Sequence, residues 1–89
     1  MLQKYRLKDV TSNETHETRT DKFYPALIGE IFYLDVNELK VDEVFYLYKD
    51  KPWTSYLRTS LVQNWADCGH MLVITTLNSN YYLEKVNED

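Results

Sequence analysis

From Leu2 to Val10 the chain alternates apolar and basic side chains, with Tyr5 and Leu7 on one side and Lys4, Arg6 and Lys8 on the other. A two-residue repeat is the signature of a half-buried strand, so this segment opens the fold as a strand. Residues 11–22 are polar and aperiodic and read as a long loop. Pro25 biases Tyr24 to an extended backbone, and Gly29 permits a turn or bulge. Glu30–Val36 and Val44–Lys49 are rich in β-branched and aromatic residues and are the clearest strands. Between them, residues 36–39 have room for one helical turn, too short to persist as an isolated helix. Asp50-Lys51-Pro52 has the composition of a turn.

Residues 56–65 fit a strand, although 60–66 also fit a capped two-turn helix. The strand is preferred because Asp67-Cys68-Gly69-His70 has the make-up of a hairpin connection into the β-rich run Met71–Thr76. Leu77-Asn78-Ser79-Asn80, whose asparagines tolerate left-handed dihedrals, then leads into a last strand, Tyr81–Val86. Residues 87–89 form a disordered tail. The pattern predicts an all-β (mainly β) fold. Five to six short antiparallel strands, with at most one helical turn, are expected to curl into a small SH3-like or partly open barrel, because closure hides unpaired edges.

A chain of 89 residues holds one core and therefore one domain, residues 1–89. Its 44% hydrophobic and 27% charged residues place it among chains that fold, and 15% aromatics predict a ring-rich core. Cys68 is the single cysteine, which rules out an intramolecular disulfide and favours the reducing cytoplasm. No run has the length and apolarity of a membrane span, and the N-terminus lacks an apolar export core. A net charge of −4 argues against duplex DNA as a partner, since that affinity rests on clustered cations.

Chemistry is sparse. His16, Cys68 and His70 offer at most three ligands without paired spacing, so no metal is expected. Ser60 or Cys68 with His70 and Asp67 lacks an oxyanion hole, and residues so close in sequence do not converge on one reacting atom. Asp42-Glu43 and Glu88-Asp89 lie in polar surroundings where nothing raises a carboxyl pKa. With two glycines in the chain there is no phosphate-cradling loop. The expectation is a protein without enzymatic activity or cofactor.

The segments Thr59-Ser60-Leu61-Val62 and Thr75-Thr76-Leu77-Asn78-Ser79-Asn80-Tyr81-Tyr82-Leu83-Glu84, with Tyr24-Pro25 to Gly29-Glu30 and the opening strand ending in Val10-Thr11, resemble short uncharacterised β-barrel proteins of Gram-positive bacteria, their phages and mobile elements. The resemblance spans about two thirds of the chain, by its turns and strand ends. It implies a genomic setting in which small acidic proteins often inhibit a host enzyme or defence system by covering its surface. It implies no catalytic residues.

The tyrosines carry the functional expectation. Neighbours in a strand point to opposite faces, so Phe32-Tyr33, Phe45-Tyr46 and Tyr81-Tyr82 each send one ring outward. With Phe32, Leu34, Phe45 and Leu47 inside, Tyr33, Tyr46 and Tyr48 stand outside, joined by Tyr82 from the terminal pair and by Trp53 after Pro52. Exposed tyrosines mark docking surfaces, so these five residues are the candidate site for a protein partner or a second copy. An alternative is a small-ligand or nucleotide sponge with an aromatic-lined pocket in which Arg58 and Thr59 orient the ligand. A third reading, weak binding of single-stranded nucleic acid, draws on the basic stripe Lys4, Arg6 and Lys8.

Overall fold

The computed structural model describes residues 3–21, 24–50 and 54–86. It contains seven strands, β1 (Gln3–Ser12), β2 (Ile31–Leu34), β3 (Tyr46–Asp50), β4 (Thr54–Arg58), β5 (Val62–Asp67), β6 (Met71–Thr76) and β7 (Ser79–Lys85). A four-residue helix α1 (Tyr24–Leu27) precedes β2, and a 3-10 turn (Val36–Glu38) follows it. All neighbouring strands are antiparallel, in one sheet of order β4-β3-β2-β1-β7-β6-β5.

The mainly β expectation holds, and two of its details are corrected. Among the described residues there are seven strands, not five or six, because the single strand expected over 56–65 is broken at Thr59–Leu61 into β4 and β5. Among the described residues there are two short helical elements, where at most one was expected. The extra one is α1, where Tyr24 is helical and not extended; Pro25 takes the second position, where a missing N–H goes unnoticed in the first turn. The disputed stretch 60–66 is strand from Val62 on.

One face of the sheet is the core. Tyr5, Leu7, Phe32, Leu34, Leu47, Leu72, Ile74, Tyr81 and Leu83 occupy alternate positions of their strands and are fully buried or nearly so. A bulge between Leu7 and Asp9 shifts the phase of β1, so that Val10, not Asp9, is the next residue inside. Leu27, Tyr24, Leu39 and Phe45 complete the core from the connections, and Trp65 packs partly buried against it. Gly29 (φ 92°) makes the step from α1 back to the sheet in a conformation that side chains resist, donating its N–H to the Leu7 carbonyl at 2.7 Å.

The two outermost strands, β4 and β5, are separated by only three residues. Val62 N–H donates to the Glu43 carbonyl (2.8 Å), Asp42 N–H to the Val62 carbonyl (2.8 Å) and Leu77 N–H to the Leu61 carbonyl (3.0 Å). The sheet is therefore strongly curled, since its opposite edges must meet at this connection.

Residues 11–22 differ from the expected loop. Thr11 and Ser12 belong to β1, and the chain folds straight back: Thr11 bridges Thr18, Ser12 N–H donates to the Glu17 carbonyl, and Arg19 N–H donates to the Val10 carbonyl. His16, at φ 61°, makes the reversal. The β6–β7 turn is also made differently, because neither Asn78 nor Asn80 takes a positive φ. The Thr76 hydroxyl holds it instead, accepting from the Ser79 N–H and donating to the Ser79 carbonyl. The turn expected at 50–52 and the tail 87–89 lie wholly or partly outside the described residues.

Candidate binding face

Direct cross-strand partners share a face of the sheet, so the register itself maps the outer surface. Tyr33 of β2 lies opposite Tyr48 of β3 on one side and Lys4 of β1 on the other. Tyr46, two residues before Tyr48, lies opposite Arg58 of β4. The rings of Tyr46 and Tyr48 are 6.5 Å apart with a 32° tilt. Tyr46 is 38% exposed, whereas Tyr33 and Tyr48 are half-buried against their neighbours.

Tyr33, Tyr46 and Tyr48 thus form one contiguous patch on β2 and β3. Tyr82 also faces outward, opposite Val73 and Asp9, but β1 separates it from the patch. Trp53 lies outside the described residues. Tyr81, partner of Tyr82 in its doublet, is inside, with its ring edge-on to Phe45 at 5.5 Å. Lys4, Arg6 and Arg58 flank the tyrosines from the two sides, and no described carboxylate stands in the rows Lys4–Tyr33–Tyr48 and Tyr46–Arg58.

Arg58 and Thr59 also reach a second feature, a polar cavity of about 500 Å³ between the 12–21 fold-back, the β4–β5 connection and the β6–β7 turn. At its wall the Arg19 guanidinium is fixed: Nε and Nη2 donate to Asp21 (3.0 and 2.6 Å), Nη1 donates to Ser79 Oγ (2.8 Å), and the plane lies 4.5 Å from the Tyr24 ring centre. Burial first, then hydrogen bonding with Tyr24, pushes the Tyr81 hydroxyl far above its ordinary pKa. The Thr59 hydroxyl is engaged by the backbone of Phe45 and Ser60. Arg19 and Arg58 are balanced by Glu14, Glu17 and Asp21, so the cavity is no focus of positive charge.

Cys68, in the β5–β6 turn, is exposed, and His70 close to it is exposed too. Among the described residues no three His, Cys, Asp or Glu side chains are grouped to hold a metal, and no helix is long and apolar enough to cross a membrane.

Compared with protein-family models, curated proteins and solved structures, the chain matches none. The fixed guanidinium of Arg19 was invisible to pattern reading. Its partners Asp21, Tyr24 and Ser79 are up to 60 residues away in sequence, and only the fold-back brings them together.

Proposed function

We propose that the chain is a non-enzymatic, cytoplasmic accessory protein encoded by a phage or mobile element. In this reading it is a small, partly open SH3-like barrel that docks on a protein partner and acts by covering its surface, as an inhibitor of a host enzyme or defence system would. The observation that carries the proposal is the patch Tyr33–Tyr48–Tyr46: rings held side by side on adjacent strands, with Lys4 opposite Tyr33 and Arg58 opposite Tyr46. Such rings bring large contact area at low conformational cost, and flanking cations fix orientation. Tyr46→Ala should weaken capture of the partner from host lysate by more than about 1 kcal/mol while leaving the melting temperature near that of the parent. Unchanged capture would remove the patch from consideration.

The second reading, a small-ligand sponge, is favoured by one observation, the 500 Å³ cavity that Arg58 and Thr59 help to line. Its fixed hydroxyls and guanidinium suit a polar molecule without strong net charge. A thermal-shift screen separates the two readings, because a small ligand stabilises by mass action and a protein partner absent from the screen does not.

A further inference from the structure

Three elements meet around the polar cavity, and their order decides what it can hold. The β6–β7 turn stands in the middle. On one side Asn13 N–H donates to the Asn78 carbonyl at 3.1 Å, which ties the turn to the fold-back carrying Glu14 and Glu17. On the other side Leu77 N–H donates to the Leu61 carbonyl at 3.0 Å, which ties it to the β4–β5 connection and so to Arg58 at the end of β4. Glu14, Glu17, Leu77 and Arg58 all line the cavity. Across it the lining therefore reads acidic, apolar, basic. The Arg19 guanidinium and the Asp21 carboxylate satisfy each other at 2.6 Å and add no net charge. Arg58, Glu14 and Glu17 are exposed and enter no ion pair, with one another or elsewhere, among the described residues. Leu77 is 54% exposed and Leu61 beside it 37%, so the stretch between the two charged walls is open hydrocarbon.

We infer, building on the small-ligand reading of this cavity, that it takes a short peptide with free termini and apolar side chains. The α-ammonium lies against Glu14 and Glu17, the carboxylate against the Arg58 guanidinium, and the side chains over Leu77 and Leu61. The charges select this class. An anion alone would leave the two glutamates opposing it, and a cation alone would leave Arg58 opposing it, whereas a dipolar ligand gives each wall its opposite. A guanidinium also presents paired N–H donors that match the two oxygens of a carboxylate. Arg58 meets neither glutamate across the gap, so the ligand's charges must be held apart, as the ends of a peptide are. The leucines between the walls call for hydrocarbon in the middle. A volume of about 500 Å³ lies within the range of sites that enclose small molecules. The frame is preorganised, since the side chains of Asn13, Arg19 and Thr59 are held by hydrogen bonds within the chain.

Titration calorimetry of the full chain with the dipeptide leucyl-leucine tests it. The free dipeptide should bind with a dissociation constant of about 1 mM or below. Acetylating its amine or amidating its carboxylate should each weaken binding about fivefold or more. Arg58→Gln should lower the affinity for the dipeptide and bind it and its amide alike. Glu14→Gln combined with Glu17→Gln should erase the difference between the dipeptide and its acetylated form while keeping the penalty for amidation. Such pairwise cancellation locates each end of the ligand, and a general loss of structure does not produce it. The capped peptides test the parent protein directly and serve if a variant fails to fold. Absence of leucyl-leucine binding, equal binding of the capped forms by the parent, or penalties that persist unchanged in the variants overturn the inference. If another molecule stabilises the chain in the thermal-shift screen while leucyl-leucine does not bind, the cavity stays a ligand site and this occupant alone fails. If nothing in the screen binds either, the small-ligand reading falls with it.

Discussion

Tyr81 shows how much a single side chain here depends on what surrounds it. Its ring is 2% exposed, edge-on to Phe45, and its hydroxyl is tied to Tyr24 and Ser79 beside the Arg19 guanidinium. Burial holds that hydroxyl neutral well beyond its ordinary value near 10, and burial, reinforced by the charges of Asp67 and Asp35, raises the Tyr5 hydroxyl in the same direction. An acid whose folded pKa is raised above its unfolded one favours the fold below the unfolded pKa. That contribution is lost as pH climbs through and above about 10, because the unfolded chain then releases protons the folded one retains. The melting temperature should accordingly be flat from neutral pH to about 9 and fall steeply above about 10. Tyr81→Phe should melt lower at neutral pH, having lost its hydrogen bonds, yet decline less between pH 9 and 11. Equal slopes for the two proteins would show that Tyr81 is not the group responsible.

At the scale of elements, the fold-back of residues 12–19 depends on Asn13. Its Nδ2 donates to the Thr76 carbonyl, its Oδ1 accepts from Asn80 Nδ2 at 2.8 Å, and its backbone N–H donates to the Asn78 carbonyl at 3.1 Å. Asn13→Ala removes both side-chain bonds and should cost about 1–2 kcal/mol. The loss should be local: amide exchange at Ser12, His16 and Arg19 should accelerate while the β6–β7 ladder keeps its protection. This element also marks the boundary of what the sequence makes legible. Strands with a period of two announced themselves, and Phe32, Leu34, Phe45 and Leu47 are inside as alternation required. The fold-back is polar on both sides and has no period, so its order comes from its bonds back to β1 together with contacts to residues more than 60 positions away. The break at Thr59–Leu61 was hidden for a related reason, since β4 and β5 form an almost continuous β-prone run whose two halves pair with different neighbours. Outward tyrosines were legible from the doublets. Their grouping into a patch, and the separation of Tyr82 from it, depend on strand order, which alternation does not encode.

For the molecule as a whole, the contact between the sheet's edges decides whether seven short strands behave as one cooperative unit. Asp42 sits at that contact with φ 68°, and its N–H donates to the Val62 carbonyl at 2.8 Å while Val62 returns a bond to Glu43. Val62 is fully buried, so a displaced edge here opens the core directly to water. A positive φ is costly for most side chains, is tolerated by Asp and is free of penalty for glycine. Asp42→Gly should therefore keep the parent's stability to within about 1 kcal/mol, the relieved backbone offsetting the greater freedom of the unfolded chain. Asp42→Val places a β-branched residue in the same conformation and should cost about 1–3 kcal/mol. Because β4 and β5 are joined through this connection, the loss should appear as one shifted urea transition with an unchanged slope, followed equally by tryptophan fluorescence and by far-ultraviolet circular dichroism. Two separated transitions in Asp42→Val would instead mean that the β1–β4 side and the β5–β7 side fold independently, and that the bonds at Val62 join two units where one is expected.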